Sequence, residues 1–433
     1  MTLFDILKIA KGKLINGELL NKPVGKLCID SRKIEDGDIF VTLKGKNTNG
    51  TKYIKDVLNK ASVIITDIDI KVESKTPIIK VKNTKKTIQL IGEYNRQKFI
   101  NKPLIAITGS VGKTTTKELI SHVLSTKYKV LKTKGNYNND LGIPIMLSMI
   151  DNSYDIIVLE LGMNHLKEIE NLSKICKPDI AIITNIGTSH IGNLKSQKNI
   201  FKAKMEITNY LNHGILIVNG KDKFLCKVKN NKHYKVIKTK NIKHVKIYDK
   251  LSFKINRNTI NFCIPNKYLI PNIMLCIETC HLFKISDKDI VNMINTFKPI
   301  EQRSNIIKLN NNIKLIDDCY NASQESVMAS VDMLNNYKGK KILILGDILE
   351  LGKYSKKIHK KLGTWLDQFK GISIITVGKH SKIMGFTNYD NNNDLINDLN
   401  KQKIKNTTIL IKGSRGIHLE EIKNYFTQNY PCK

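Results

Sequence analysis

Residues 105–118 read IAITGSVGKTTTKE, an apolar strand that runs into a glycine-bracketed turn and then a helix. N–H groups at a helix N-terminus can hold phosphate oxygens, because unpaired donors and the helix dipole both face the anion. Lys113 would place a charge on the terminal phosphates, and the Thr114 hydroxyl is a candidate magnesium ligand. Since Ile107 replaces a usual glycine, the segment predicts a variant P-loop that binds a nucleoside triphosphate. The predicted binding residues are Gly109, Ser110, Val111, Gly112, Lys113, Thr114 and Thr115.

The length and composition indicate a folded chain of several domains. The 433 residues suggest about three domains of ordinary size. Apolar runs stay well short of the roughly 20 residues that cross a bilayer, and the N-terminus lacks a signal-peptide pattern. The eight cysteines include no Cys-x-x-Cys pair and are typical of a reducing compartment. We therefore expect no membrane span and a cytoplasmic location.

The formal net charge of +34 raises the possibility of a nucleic-acid-binding protein. The lysines, however, are scattered through every segment instead of being clustered, so we expect no nucleic-acid partner. Among 72 basic residues only five are arginine, which suggests that these mark places where lysine cannot serve, such as planar phosphate or carboxylate binding. They are Arg32, Arg96, Arg257, Arg303 and Arg415.

Strand and helix signals divide the chain into three α/β domains. Residues 1–99 predict a mixed α/β N-terminal domain, residues 100–299 a central P-loop ATPase domain with a mostly parallel sheet, and residues 300–433 a C-terminal Rossmann-like, doubly wound domain. The predicted central strands are 104–108, 156–161, 180–184 and 215–218, and the predicted C-terminal strands are 313–317, 342–345, 374–377 and 408–411. The lysine-rich stretch 221–265 predicts an antiparallel excursion.

Three polar side chains of the central segment are candidates for catalysis. Glu160 ends a predicted strand and could reach a magnesium ion at Thr114, or it could be a solvated strand end. His190 lies in a loop at the same sheet edge and is either a metal or phosphate ligand or a residue without a role. For Lys204, beside an apolar helical stripe, a solvated lysine is the simpler interpretation from the residues alone.

The C-terminal segment adds a second set of candidates. Arg303 lies where the central segment gives way to the last one, and could close over a triphosphate. Asp317 and Asp318 end a strand and could bind ribose hydroxyls or an amine, or could form a simple turn. Residues 412–415 follow another strand and open a helix, which is a geometry that binds anions.

Together these motifs resemble those of the Mur ligase family over nearly the whole chain. They appear in the order DSR (30–32), TGSVGKTTTKE (108–118), GNYNND (135–140), ELGMNH (160–165), KAK (202–204), DCYNA (318–322), GDILELG (346–352) and KGSR (412–415). The GNYNN run favours the type of ligase that adds D-alanyl-D-alanine to UDP-N-acetylmuramoyl-tripeptide over the tripeptide-forming type.

The resemblance implies an ATP-dependent ligase of peptidoglycan precursor synthesis. ATP would phosphorylate the terminal carboxylate of the tripeptide, and the amino group of D-Ala-D-Ala would attack the acyl phosphate. Positioning and charge neutralisation would supply most of the catalysis. The family implies two Mg²⁺ ions and a carbamylated Lys204, since a carbamate offers the oxygen ligands that magnesium prefers. We expect a monomer, with these two substrates as its partners.

The resemblance also assigns roles to residues. Catalytic roles fall to Lys113, Glu160, His190, Lys204 and Arg303, and metal ligation to Thr114, Glu160, His190 and carbamylated Lys204. Nucleotide contacts beyond the P-loop fall to Asn272, Arg303 and Asp318. Substrate binding falls to Asp30, Ser31, Arg32, Asn138, Asn139, Tyr320, Asn321, Lys412, Ser414 and Arg415.

The chain departs from the family pattern in places that concern adenine and the acceptor. The family's His-Asn-x-x-Asn reads Tyr268-Leu269-Ile270-Pro271-Asn272, and Tyr-Asn-Ala-Asn-Pro ends here in Ser323-Gln324. In the first domain, Asn49-Gly50-Thr51 replaces Asp-Gly-His. Alternatives left open are a tripeptide-forming or folylpolyglutamate-type relative, a P-loop protein acting on nucleic acid, and a non-catalytic homologue. The sequence leaves open whether the third residue of the tripeptide is lysine or diaminopimelate.

Overall fold

The computed structural model describes residues 1–18, 22–45 and 48–432. It confirms the α/β fold class, and each of the three predicted segments contains a β-sheet flanked by helices. The domain bounds themselves stay predictions. No helix within the described ranges is long and apolar enough to cross a membrane.

The N-terminal segment carries a mixed sheet of strand order β1-β5-β4-β3-β2 in the described residues. Only the β1–β5 pair is antiparallel. The strands are β1 (Lys13–Asn16), β2 (Leu27–Cys28), β3 (Ile39–Val41), β4 (Val63–Thr66) and β5 (Ile78–Lys80), and the helices are α1 (Leu3–Ala10), α2 (Ile54–Val57) and α3 (Thr84–Lys98). Helix α3 leads into the central segment, and its Ile88 and Ile91 are buried in the N-terminal core.

The central segment is built on a parallel sheet of order β11-β10-β9-β6-β8-β7. Its strands are β6 (Leu104–Thr108), β7 (Val130–Lys132), β8 (Ile156–Glu160), β9 (Ile180–Ile183), β10 (Gly214–Val218) and β11 (Tyr234–Lys238). The helices are α4 (Lys113–Leu124), α5 (Gly142–Ser148), α6 (Glu168–Cys176), α7 (Ile191–Leu194), α8 (Gln197–Met205), α9 (Ile270–Leu282) and α10 (Asp287–Thr296). Both faces of this sheet are buried, which explains its near-continuous apolar strands.

The prediction for residues 221–265 was half wrong. The antiparallel sheet exists, with order β12-β13-β14 from β12 (Val245–Ile247), β13 (Leu251–Ile255) and β14 (Asn258–Phe262). Strand β11, however, pairs in parallel with β10. Its alternation of lysines with half-buried residues comes from its place as an edge strand, where one face stays near solvent.

The C-terminal segment forms a sheet of order β15-β16-β20-β17-β18-β19, parallel except for the β15–β16 pair. The strands are β15 (Asn305–Leu309), β16 (Ile313–Asp318), β17 (Lys340–Gly346), β18 (Ser373–Val377), β19 (Thr387–Tyr389) and β20 (Thr407–Lys412). The helices are α11 (Gln324–Asn335), α12 (Ser355–Leu366), α13 (Asn392–Leu399) and α14 (Glu420–Asn429). The eight strands predicted for the central and C-terminal sheets are all present, with ends that differ by at most two residues.

Candidate functional site

A cavity of about 910 Å³ lies between the central and C-terminal sheets. It opens at the carboxyl ends of the central strands, where α/β folds usually bind ligands. It brings together most of the predicted site residues: Ser110, Val111, Gly112, Lys113, Thr114, Thr115, Asn138, Asn139, Glu160, His190, Lys204, Asn272, Arg303, Asp318, Tyr320, Asn321 and Lys412. Gly109, Asp30, Ser31, Arg32, Ser414 and Arg415 are not among its lining residues.

The P-loop runs between β6 and α4. Gly109 has φ of 151°, and a side chain there would overlap the Thr184 hydroxyl, so this position requires glycine. Asn185, which sequence analysis missed, accepts bonds at Oδ1 from the N–H groups of Ser110 (3.1 Å) and Val111 (2.9 Å). Its amide oxygen therefore occupies two donors that a phosphate could use. The only signal for Asn185 was its place just after a strand.

Lys113 follows the loop and points back over it. Its Nζ donates to the carbonyl oxygen of Gly109 at 2.9 Å. Burial lowers the pKa of Lys113, while the charge of Glu160 opposes that shift and the charge of Arg303 adds to it. Arg303 of the C-terminal segment is thus within electrostatic reach of the P-loop lysine.

Glu160 joins the P-loop to the loop that contains Asn138. The Thr114 hydroxyl donates to Glu160 Oε2 at 2.7 Å, and Asn138 Nδ2 donates to Oε1 at 3.0 Å. The Glu160 N–H donates to the hydroxyl of Thr133 at 2.9 Å, which fixes the strand end. Because Glu160 ends β8 directly beside β6, its carboxylate reaches the first turn of α4.

These oxygens fit a magnesium ion in kind. Mg²⁺ takes oxygen ligands and is usually held by one or two protein groups together with phosphate oxygens. Thr114 Oγ1 and Glu160 Oε2 are already 2.7 Å apart. A ready-made cage of three or more His, Cys, Asp or Glu side chains is absent from the described ranges. The arrangement therefore suits an ion that arrives with the nucleotide.

Lys204 is almost completely buried, with 1% of its surface exposed, although it lies on the amphipathic helix α8. Burial, with a smaller contribution from the charge of Lys113, lowers its pKa well below the ordinary value. A solvated lysine is therefore the wrong interpretation of this position. A lowered pKa favours the neutral form of the amine, which is the form that can react with carbon dioxide.

His190 is held in a left-handed conformation with φ of 63° at the start of α7. Its buried Nδ1 lies 2.8 Å from Glu350 Oε2 of the C-terminal segment. Despite this short distance, Nδ1 forms no hydrogen bond of ordinary geometry. The nearby His190 lowers the pKa of Glu350, although burial opposes the shift. Glu350 has φ of 64° and was missed as a site residue, although it lies in the GDILELG motif.

On the C-terminal side of the cavity, both carboxylate oxygens of Asp318 accept hydrogen bonds. The carboxylate accepts from Lys412 Nζ at 2.7 Å and Ser330 Oγ at 2.6 Å through Oδ2, and from the Ser304 N–H at 3.1 Å through Oδ1. Lys412 also donates to the Asn321 carbonyl at 3.2 Å and is 2% exposed. These contacts hold the loop that contains Tyr320 and Asn321 in place.

Asn272 supports the P-loop. Its Nδ2 donates to the Gly112 carbonyl at 3.2 Å and to the Thr116 hydroxyl at 2.9 Å. At the neighbouring end of the cavity lie Leu269 and Ile270 with Ile242 and Val245. An adenine contact of Asn272 stays a prediction, because its amide nitrogen is already used by the loop.

The predicted sugar-nucleotide residues lie apart from this cavity, in the short 3₁₀ turn Ser31–Lys33. Arg32 forms a bidentate pair with Asp30, with Nε–Oδ1 at 2.8 Å and Nη2–Oδ2 at 2.9 Å. Its side chain is 85% exposed and so is accessible to a ligand.

Comparison with known proteins adds the family. The model of the Mur ligase middle domain matches residues 107–280, and that of the Mur ligase glutamate ligase domain matches residues 302–415. The chain is 31% identical to UDP-N-acetylmuramoyl-tripeptide--D-alanyl-D-alanine ligase of Bacillus subtilis, with 97% of each chain covered. It is 32% identical to the protein of the same name from Rickettsia prowazekii, with 92% of this chain and 94% of the relative covered.

Solved structures agree with this. The crystal structure of MurF from Acinetobacter baumannii aligns with a TM-score of 0.90 at 27% identity, covering 99% of this chain and 98% of that one. The structure of MurF ligase from Thermotoga maritima in complex with ADP aligns with a TM-score of 0.82 at 25% identity, covering 94% and 97%. The chain belongs to the Mur ligase family.

Proposed function

We infer that this chain is an ATP-dependent ligase that joins D-alanyl-D-alanine to UDP-N-acetylmuramoyl-tripeptide, forming the pentapeptide precursor of peptidoglycan. The relatives that carry this name match it over almost their whole length. The observation that carries the proposal is the shared cavity, in which the P-loop, Glu160 and Lys204 of the central segment face Arg303 and Tyr320 of the C-terminal segment.

The residues suggest how the reaction is promoted. The P-loop and Lys113 bind and orient the ATP phosphates, and Arg303 approaches the transferring phosphoryl group from the opposite wall. The tripeptide carboxylate attacks that group to give an acyl phosphate and ADP. The amine of D-Ala-D-Ala then attacks the acyl carbon, and the tetrahedral intermediate collapses to the amide and phosphate. Holding the reactants in line accounts for much of the acceleration.

Metal binding is a finer proposal. We propose that Thr114 and Glu160 hold one Mg²⁺, and that Glu160, His190 and carbamylated Lys204 hold a second. Bound magnesium neutralises charge on the phosphate oxygens and the acyl phosphate. The burial and lowered pKa of Lys204 support carbamylation, because a bare ammonium would repel a cation there.

The remaining substrate contacts are proposed for residues of all three segments. Asp30, Ser31 and Arg32 are proposed to bind the UDP-sugar, and Asn138 and Asn139 the peptide. Asn321, Lys412, Ser414 and Arg415 are proposed to receive the dipeptide, with Arg415 on its carboxylate. We also propose a monomer located in the cytoplasm, and the eight free cysteines agree with such a reducing compartment. The third residue of the tripeptide stays open.

Phosphate release tests the activity. The protein is incubated with ATP, Mg²⁺, UDP-MurNAc-tripeptide and D-Ala-D-Ala, with the lysine and diaminopimelate forms of the tripeptide compared. Release should require both peptide substrates, and mass spectrometry should show the pentapeptide. Release that persists without D-Ala-D-Ala, or that depends on DNA or RNA, would contradict the proposal.

Two lysine variants test the assigned roles. Lys113→Ala should lose several kcal/mol of transition-state stabilisation, because the positive charge that contacts the transferring phosphoryl group is removed.

Lys204→Ala should be nearly inactive yet still bind ATP analogues, and added acetate or formate should restore part of its activity by supplying a carboxylate. Full activity of Lys204→Ala would return that residue to a structural role.

A further inference from the structure

Two of the five arginines of the chain lie next to the aromatic ring of Tyr320. The Cζ atom of Arg303 lies 4.1 Å from the ring centroid, and that of Arg415 lies 5.1 Å from it. Both distances are within the range of cation–π contact, in which the negative face of an aromatic ring attracts a guanidinium. Two like charges are thus held next to a single ring, although they come from opposite ends of the C-terminal segment, one before β15 and one after β20.

The backbone at Arg303 is fixed in an unusual conformation. Gln302 and Ser304, on either side, have φ of 59° and 52°, a left-handed region that costs energy for residues other than glycine. The Gln302 N–H donates to Asp317 Oδ2 at 3.2 Å, and the Ser304 N–H to Asp318 Oδ1 at 3.1 Å. Such strain persists only where neighbouring contacts impose it, and it commonly marks functional positions.

Tyr320 contacts Gln302 through its main chain and Arg303 through its ring. Its N–H donates to the Gln302 carbonyl at 3.2 Å, which places the ring beside Arg303. The side-chain contacts of Tyr320 that bear on its role are those between the ring and the two guanidinium groups.

The two arginines serve different ends of the reaction under the proposed function. Arg303 lines the cavity and influences the pKa of Lys113, so it lies on the phosphate side. Arg415 is exposed at the start of the 3₁₀ turn Arg415–Ile417, after the strand that carries Lys412 on the acceptor side. Tyr320 contacts both arginines and is half-buried in the cavity wall.

We propose that Tyr320 is a positioning residue whose aromatic face orients both Arg303 and Arg415, and thereby links binding of the ATP terminal phosphate to binding of the acceptor carboxylate. This inference rests on the proposed function for the identity of the two anions. The hydroxyl of Tyr320 has no part in it.

Two substitutions separate the ring from the hydroxyl. In Tyr320→Leu the cation–π contacts are lost, and both the Kd of a non-hydrolysable ATP analogue and the KM of D-Ala-D-Ala should rise by about three- to thirtyfold. Tyr320→Phe keeps the ring, so it should recover most of what the leucine variant loses. Urea unfolding of the three proteins verifies that they are compared in the folded state.

A fluorinated series tests the physical origin without changing the shape of the side chain. Mono-, di- and trifluorinated phenylalanine at position 320 progressively weaken the negative face of the ring. The Kd of the ATP analogue and the KM of D-Ala-D-Ala should rise stepwise with fluorination. Because these residues are close in shape to Phe, this series decides the question even if Tyr320→Leu folds poorly.

Neutral arginine variants show whether the ring acts through the arginines. In Arg303→Met, adding Tyr320→Leu should have no further effect on the ATP analogue, and in Arg415→Met it should have none on D-Ala-D-Ala. Equal defects in Tyr320→Phe and Tyr320→Leu, no trend with fluorination, or an effect on one ligand alone would overturn the proposal. Binding of the ATP analogue is measured without turnover, so this test is independent of whether the proposed acceptor is correct.

Discussion

The central segment meets its two neighbours through joints of opposite character. Toward the N-terminal segment the joint is buried and formed by one continuous helix, α3. Its Arg96 is completely buried, and all five guanidinium N–H groups donate hydrogen bonds of 2.7–3.2 Å. Four of them go to carbonyl oxygens, from Nε to Cys176, from Nη1 to Phe99 and Lys102, and from Nη2 to Lys177. The fifth goes from Nη2 to Asp179 Oδ2. Asn95 beside it donates to Leu147 O and Ile150 O at the end of α5.

Toward the C-terminal segment the joint combines shared apolar packing, in which Ile270 and Val327 belong to one buried cluster, with separate polar contacts between loops. Thr188 Oγ1 donates to Glu325 Oε2 at 3.0 Å, the Gly192 N–H to Glu350 O at 3.2 Å, and the Tyr354 hydroxyl to Lys195 O at 2.8 Å. The difference teaches that the first joint depends on one buried arginine, whereas the second is spread over apolar packing and several polar contacts between loops.

The largest expected effect concerns the joint with the N-terminal segment. Arg96→Met keeps the length of the side chain but removes its donors, leaving buried carbonyl groups unpaired. We expect a loss of about 3–5 kcal/mol in the free energy of unfolding, measured by urea denaturation. Arg257→Met is the matched control, because Arg257 is an exposed arginine in the turn between β13 and β14. A loss below about 1 kcal/mol in Arg96→Met would mean that the joint does not depend on this residue.

The next effect concerns catalysis at the joint with the C-terminal segment. Glu350→Ala removes the carboxylate beside His190 Nδ1, and partners of this kind orient a ligating histidine. We expect kcat/KM to fall about tenfold, while the free energy of unfolding changes by less than about 0.5 kcal/mol. Tyr354→Phe also removes a contact across this joint but leaves His190 untouched, so its loss should be much smaller. Equal losses in the two variants would contradict a specific role for Glu350.

The smallest effect is a pH dependence of the loop that carries Glu350. The fully buried His359 accepts from the Ile348 N–H at Nε2 (3.1 Å), and its Nδ1 bonds to Ser355 O (2.8 Å). Burial lowers the pKa of His359, although the Ser355 carbonyl and the charge of Asp347 oppose the shift. A histidine with lowered pKa binds fewer protons when folded than when unfolded, so stability falls as the pH drops below its ordinary value of 6.5.

Urea unfolding of the parent and of His359→Gln at a series of pH values measures this contribution. The variant should be less stable near neutral pH, and its stability should decline less steeply below pH 6.5. Parallel curves for the two proteins would show that His359 is not the titrating group.

Local sequence patterns were sufficient to predict the fold class and many residues of the candidate site. The P-loop, the strand that ends at Glu160 and the strands of both large sheets depend on short stretches of chain, so apolar runs and turn residues predicted them. The scarcity of arginine singled out Arg96 and Arg303, but it could not tell a buried clamp from a ligand-facing group. Partners distant in the chain were not predictable. Asn185 on the P-loop, Glu350 on His190 and the parallel pairing of β11 all depend on contacts between segments that meet only in the folded molecule.

The convergence of Lys113, Lys204 and Arg303 on one cavity has a thermodynamic consequence. Burial lowers the pKa of both lysines, and the charge of a neighbouring basic group adds to each shift. A bound polyanion favours the charged form of Lys113, and because it binds only the folded protein it adds to folding stability. The melting temperature should serve as a direct gauge of site occupancy, rising more with a triphosphate than with a monophosphate. The folded protein is therefore stabilised by its own nucleotide substrate.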